Sequence, residues 1–214
     1  MRNGTLLGVL QEAAVRKRIL AVAVGLAGLL GGCVPQDSLF PLFNKDDKAF
    51  EEALIGEWRL QPKEGENPPH PPQLWIFQKS EESPPAYNFR ILNFEHKKEN
   101  IFSRARLVRL GEFLFIDFGS PEFNEGKPAE IPYPAVTSHI FGRIHISREN
   151  VRMDMLSDDW VSKQIKTGTL SLACAETPEG WILTAKTEEL RKFALEHADD
   201  EAAFSESFML IRSK

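Results

Sequence analysis

The chain has 214 residues, of which 42% are hydrophobic and 27% are charged, and its formal net charge at pH 7 is -5. Residues 1–32 hold four basic side chains and one acidic side chain, so the rest of the chain carries a net charge of -8. An acidic body is repelled by phosphate, and no stretch gathers the basic and aromatic residues of a nucleic-acid groove. These features exclude nucleic-acid binding, and the length suits one domain with a full hydrophobic core.

The chain begins with a segment that has the order of a secretory signal. Basic residues at 16–18 precede an apolar run over 19–30, which at about 12 residues is too short to span a bilayer. Small residues then lead to a cysteine in Leu30-Gly31-Gly32-Cys33. This tetrapeptide resembles the lipobox of bacterial lipoproteins.

The resemblance implies a signal peptide over 1–32 and a mature protein that is anchored in the membrane by acyl chains on Cys33. It also implies residence in the cell envelope. Val34, rather than an aspartate, follows the cysteine. The resemblance therefore implies the periplasmic face of the outer membrane if the host is Gram-negative. We expect residues 33–48 to form a tether and residues 49–214 to form a single β-rich globular domain.

A second cysteine, Cys174, is left alone once Cys33 is acylated, so the mature chain cannot form an intramolecular disulfide. Cys174 alternates with Leu170 and Leu172. This alternation predicts a buried, unreactive thiol.

The rest of the chain alternates apolar and polar residues in short segments, which predicts antiparallel strands that curl toward a barrel. A short helix is expected over 47–55, and two more should begin near Ser157 and Thr187, whose side chains can cap them. Gly168 should end the first of these two. The predicted strands span 56–60, 74–79, 87–94, 103–110, 112–118, 138–147, 150–156, 169–176, 181–185 and 206–211.

The first strand opens with Gly56-Glu57-Trp58 after the short helix. This Gly-x-Trp motif is similar to the lipocalin signature. The resemblance implies that Trp58 plugs the closed end of a barrel beneath an arginine. The fold class is therefore mainly β (α+β), either an antiparallel meander or a lipocalin-like barrel with two short helices.

Three loops, over 61–72, 80–85 and 119–137, are long and rich in proline. Long loops in compact domains are usually functional or disordered. The third holds Phe123 and Tyr133, so it is a candidate lid or protein contact patch, with a solvated excursion as the alternative.

The candidate binding residues lie in two predicted strands. The run Phe113-Leu114-Phe115-Ile116 is apolar on both faces, which is typical either of a barrel wall packed by a helix or of the lining of an apolar cavity. His139, Phe141, Arg143 and His145 alternate along the other strand and share one face. If the cavity is open, we expect Phe115 to point inward and a ligand to contact a set of five residues. This set is Phe113, Phe115, His139, Phe141 and Arg143.

No metal site and no cofactor are predicted. His139 and His145 are six residues apart, which places them roughly 20 Å apart along a regular strand, too far for two ligands of one zinc ion. Asp154, Asp158 and Asp159 form an acidic cluster, but two of these are explained by the helix that begins beside them.

Function remains open between two non-catalytic classes, with a hydrolase ranked third because no Gly-x-Ser-x-Gly or His-Glu-x-x-His motif occurs. One class is a module that binds a small apolar ligand in the barrel. The other is a structural or protein-interaction scaffold that uses the proline-rich loops on an envelope protein. An open apolar cavity favours the first, and a filled barrel with an exposed patch at Phe123 and Tyr133 favours the second.

Overall fold

The structure is a computed structural model that describes residues 35–62, 73–93, 98–119, 138–178 and 180–213. The described residues form eleven strands, one 3₁₀ turn and two α-helices. The strands are β1 (Asp37–Ser38), β2 (Gly56–Leu60), β3 (Gln73–Lys79), β4 (Tyr87–Asn93), β5 (Lys98–Leu110), β6 (Phe113–Gly119), β7 (His139–Ile146), β8 (Asn150–Met155), β9 (Cys174–Thr177), β10 (Gly180–Leu183) and β11 (Glu206–Arg212). The 3₁₀ turn is Glu52–Leu54, and the helices are α1 (Asp158–Thr167) and α2 (Thr187–Glu196).

Eight of these strands close into an antiparallel barrel. Their order is β6-β5-β4-β3-β2-β11-β8-β7, and a pairing between β6 and β7 closes the ring. From β2 to β8 each strand pairs with the next along the chain, and β11 returns to lie between β8 and β2. The prediction of a mainly β, lipocalin-like barrel with two short helices is confirmed.

The N-terminal segment over 35–48, which we expected to be a tether, lies against the barrel instead. Its strand β1 pairs antiparallel with β7 and parallel with β10, and Leu42 is fully buried. The Arg191 guanidinium on α2 binds both oxygens of Asp47, at 2.7 and 3.2 Å. Strand β8 pairs with β7 only from Gly142 onward, so it leaves the first residues of β7 without that partner. Strand β1 pairs with β7 there, at His139 and Ile140.

One end of the barrel is closed around Trp58, which is fully buried. Its indole Nε1 donates to the carbonyl of Leu54, at 2.9 Å, and the Arg212 guanidinium lies 4.1 Å from the centre of its ring. The same guanidinium donates to the carbonyls of Ala53 and Ile55, at 2.6 and 3.2 Å. This is the arrangement that the lipocalin resemblance implied for Trp58.

Gly56 of the Gly-x-Trp motif provides the space for this arginine. It has φ +139°, and a Cβ atom added to it would lie 2.7 Å from Arg212 Nη1. A larger residue would therefore be strained in its backbone and would press on the guanidinium that covers Trp58.

Aromatic side chains fill the barrel interior above Trp58. The rings of Phe77, Phe89 and Phe118 contact each other, with Phe89 at 4.8 Å from Phe77 and 4.9 Å from Phe118. Trp75 lies 5.3 Å from Phe89 and 5.6 Å from Phe208. These rings come from β3, β4, β6 and β11, so they meet across the barrel and pack its middle.

A second core lies outside the barrel, between its wall and the two helices. Phe115 of β6 and Phe141 of β7 are fully buried there, and the Phe115 ring lies 5.8 Å from that of Phe204. Strand β6 is apolar on both faces because it separates these two cores. Of the two alternatives, the wall packed by helices is the one that the structure shows. The helical contribution includes Val161, Leu190, Phe193, Ala194 and Ala198.

The predicted helix termini were partly right. Ser157 Oγ accepts from the backbone N–H of Trp160 at 3.3 Å, and Gly168 ends α1 in the left-handed conformation, both as predicted. The prediction that Thr187 caps α2 was wrong. Glu189 instead accepts from the Lys186 N–H, at 3.0 Å. The Thr187 hydroxyl donates to the N-terminal segment, at the carbonyl of residue 41, so tertiary packing decides its role.

Two predicted elements are shorter than expected. The helix predicted over 47–55 is only the 3₁₀ turn, and the strand predicted over 169–176 begins at Cys174. Leu170 and Leu172 still pack with Cys174 against the outer core, so all three are partly buried. Cys174 was predicted to be buried, but the structure shows it partly buried, and the contact with Leu170 and Leu172 forms without the expected strand.

Candidate functional site

The five predicted binding residues share the outer face of β6 and β7. Phe115 lies opposite Arg143 in the sheet, and the alternation along the two strands puts Phe113, Phe141 and His139 on the same side. The structure does not bring all five into one pocket. They divide into three environments along the strands.

Phe115 and Phe141 are fully buried in the outer core beneath the helices. The expectation that Phe115 points into the barrel is wrong. Its neighbours Ile116 and Phe118 have the opposite parity, and Phe118 contacts the interior rings. The alternation along a strand shows which side chains share a face. When both faces are buried, the sequence alone does not show which face points into the barrel.

His139 belongs to a clamp on the N-terminal segment. Its Nδ1 lies 2.7 Å from Oδ1 of Asp117, whose side chain is fully buried. The other oxygen of Asp117 accepts from the backbone N–H of Leu42 at 2.5 Å, and the Phe43 ring packs edge-on against His139, at 5.9 Å. The pair therefore fastens residues 42–43 to the barrel wall.

Phe113 and Arg143 line a groove of about 350 Å³ at the seam between β6 and β7. The register between these strands ends at the pair Phe115 and Arg143, although β6 begins at residue 113 and β7 continues to residue 146. The two strands separate beyond that pair, and the groove occupies the gap. Its lining is Glu112, Phe113, Leu114, Arg143, Ile144, His145 and Asp199.

Arg143 lies between the groove and the second core, which packs outside the barrel. Its guanidinium donates to the carbonyl of Ala198 at 2.8 Å, lies 3.7 Å from a carboxylate oxygen of Asp154, and stands 5.3 Å from the centre of the Phe204 ring. Its buried Nε has no hydrogen-bond partner among the described residues. A buried donor without a partner costs free energy, and its burial leaves this atom out of reach of a molecule in the groove.

The groove combines an apolar floor with a polar rim. Phe113, Leu114 and Ile144 supply the floor, and the exposed His145 stands at the rim with two acidic residues. No hydroxyl or thiol side chain occurs in the described lining. The arrangement can hold a small molecule and orient a polar group on it, but it offers no serine, threonine or cysteine nucleophile.

The acidic cluster is divided in the structure. Asp154 lies on β8, buried, and accepts from Arg152 Nε at 2.9 Å. Asp158 instead lies near Asp37. Burial raises the pKa of Asp37. The pKa of Asp158 is also raised, mainly by burial and to a lesser extent by the negative charges of Asp159 and Asp37. Across the described part of the chain, no three histidine, cysteine or acidic side chains stand together in a way that could hold a metal ion.

The residues missed by sequence reasoning are those that flank the seam. Leu114, Ile144 and Asp199 carry no motif. No signal in the sequence marks them, because the two strands separate there although both continue, β6 to residue 113 and β7 to residue 146. Cys33, Phe123 and Tyr133 lie outside the described residues.

Among the residues that the structure describes, no helix is both long and apolar enough to cross a bilayer. Comparisons with protein-family models, curated proteins and solved structures found no match.

Proposed function

We propose that the protein is an acylated lipoprotein of the cell envelope whose barrel binds a small, largely apolar ligand without catalysis. The groove between β6 and β7 is the binding site in this proposal. The partners are then the membrane, through acyl chains on Cys33, and the ligand.

The anchor is supported by the order of the first 33 residues. A basic cluster, a short apolar run and Leu30-Gly31-Gly32-Cys33 follow each other as they do in lipoprotein leaders. In a Gram-negative host the periplasmic face of the outer membrane is the proposed location, because Val34 follows the cysteine.

The observation that carries the binding function is the composition and size of the groove. Its volume of about 350 Å³ lies at the lower end of the range of small-molecule sites, and three of its seven lining residues are apolar. Phe113, Leu114 and Ile144 provide the apolar part, and Arg143 provides a partly buried cation.

The test is native mass spectrometry of the full-length protein, extracted from the envelope in mild detergent. We expect a discrete bound mass that is lost on denaturation. In a Phe113→Glu variant the bound mass should fall at least about tenfold in occupancy, because a carboxylate on the groove floor opposes an apolar ligand by more than 1.4 kcal/mol.

Met209→Glu is the matched control. Met209 is also a partly exposed apolar residue on the outer face of the barrel, 40% exposed, but it lies on β11 away from the groove. It should keep the bound mass. A protein without bound mass, or equal binding by both variants, would contradict the proposal.

A scaffold role is the second candidate, and the packed interior favours it. The rings of Trp75, Phe77, Phe89, Phe118 and Phe208 occupy the middle of the barrel, where a large internal ligand would otherwise lie. In this case the proline-rich loops would contact an envelope protein. Crosslinking in intact cells that captures one protein specifically, together with an empty groove, would favour this function.

A further inference from the structure

We propose that the acylated protein lies on its side on a phospholipid surface, with the wall formed by β1, β10 and the first turn of α1 facing the bilayer. The inference rests on the proposed acylation of Cys33. It adds the orientation of the barrel and the surface that contacts the lipid.

The first described residues are hydrogen-bonded to the barrel wall. Pro35 forms a bridge with Ser157, and the backbone N–H of Gln36 donates to the carbonyl of Leu156 at 2.9 Å. The side-chain amide of Gln36 donates to the carbonyl of Trp181, at 2.7 Å. Pro35 is therefore fixed to the barrel wall at the junction of β8, β1 and β10.

Cys33 precedes Pro35 by only two residues. Two residues of fully extended chain span at most about 7 Å. Acyl chains on Cys33 enter the hydrocarbon, so the cysteine itself lies at the level of the headgroups. Pro35 and the wall to which it is bonded must then lie at or just above that level.

The wall beside Pro35 carries Trp181, one of the four tryptophans of the chain, whose backbone carbonyl accepts from Gln36. Trp181 is partly exposed, whereas Trp58 and Trp75 are buried in the barrel and the Trp160 ring packs against Phe193 and His197, at 6.0 and 5.1 Å. Tryptophan favours the boundary between membrane and water, because its ring is apolar and its N–H is polar.

The charges of this wall select the kind of lipid. Asp37, Asp158 and Asp159 lie around the same junction, and Asp159 is exposed. Carboxylates are repelled by an anionic surface, so the wall suits zwitterionic headgroups.

The strand order defines the opposite side of the molecule. In the closed ring β3 lies four strands from β7 in both directions, so the outer face of β3 points away from the wall that carries β1. Gln78 on β3 is exposed and provides a reference position.

The experiment uses the full-length acylated protein in phosphatidylcholine nanodiscs that contain a headgroup spin-labelled lipid. Paramagnetic attenuation of backbone amide signals is measured at Gln36, Asp159 and Trp181 and compared with Gln78. We expect at least a threefold greater loss of intensity at the first three positions. A variant with a 20-residue Gly/Ser linker between Val34 and Pro35 should lose most of this difference, because such a linker has a mean reach of about 25 Å.

The intact mass of the same sample separates the two claims. An unmodified Cys33 would overturn the proposed anchor and this orientation with it. An acylated protein with equal attenuation at Asp159 and Gln78 would overturn the orientation alone. A linker variant with unchanged attenuation would show that the short connection does not set the orientation, and would also overturn the inference.

Discussion

The two faces of β6 are both largely buried but are covered by different parts of the chain. The inner face, with Ile116 and Phe118, packs against rings from neighbouring and facing strands of the barrel. The outer face, with Phe115, packs under helices and the N-terminal segment that lie far away in sequence. A strand buried on both sides is therefore no sign of a cavity. The candidate groove lies where β6 loses its partner rather than where it is most apolar.

The outer core should be the most sensitive to truncation. Phe115→Ala is expected to lower the free energy of unfolding by about 3–5 kcal/mol, because it removes a fully buried ring and leaves a cavity between wall and helices. Urea denaturation followed by circular dichroism measures the change. Phe113→Ala, two residues away on the same face but lining the open groove, should cost less than half as much. Equal losses would show that the groove is as tightly packed as the core.

The contact between β7 and β8 tests the wall itself. A Cβ atom on Gly142 would meet the carbonyl oxygen of Asp154 and the Cα of Met155, the latter at 2.5 Å, so Gly142→Ala must push two strand backbones apart. We expect a loss of at least about 1–3 kcal/mol in the free energy of unfolding.

Gly119→Ala is the control for this substitution, since its nearest atom would be a His139 ring carbon at an ordinary 3.6 Å. It should change stability by less than about 0.5 kcal/mol. If both variants unfold at the same urea concentration, the close approach at Gly142 does not limit the packing of the wall.

Most of the barrel was predictable from the sequence, because period-two alternation and short turns define strands and their neighbours locally. The same alternation correctly put His139, Phe141 and Arg143 on one face. The side covered by α2 was not predictable, because the docking of that helix depends on contacts such as Thr187 with the N-terminal segment. The seam was missed because it depends on the register between β6 and β7, which nothing in either strand alone determines.

The N-terminal segment was misjudged for a related reason. Proline and polar residues over 35–48 are typical of a linker, and the bonds that hold it come from elsewhere. Leu42 is held by Asp117 and Asp47 by Arg191, at sequence separations of 75 and 144 residues. Such partners cannot be identified from a local pattern.

The smallest expected effect concerns the outermost layer, where Asp37 of β1 meets α1. Burial raises the pKa of Asp37 above its usual value of 3.8, although a hydrogen bond from Ser138 opposes the shift. A carboxyl whose pKa is higher in the folded state stabilises the fold when protonated, and this contribution is lost as the pH rises through the folded pKa. Asp37→Asn should therefore be more stable than the wild type at pH 7, with a thermal midpoint higher by a few degrees at most. The difference should shrink as the pH falls toward 3.8.

The thermal midpoints of the wild type and of Asp37→Asn are measured at pH 7 and at pH 4. The quantity compared is the difference between the two proteins at each pH, because any acid sensitivity that both share cancels in that difference. Asp46→Asn is the control, because it deletes the same charge at an exposed position of the same segment. A gain at Asp46 as large as that at Asp37 would mean that net charge, rather than burial beside the helix, limits stability. In that case the layer that contains β1 would differ from the two cores only in its charge. The contacts that hold β1 would then contribute nothing specific to the pH dependence of the thermal midpoint.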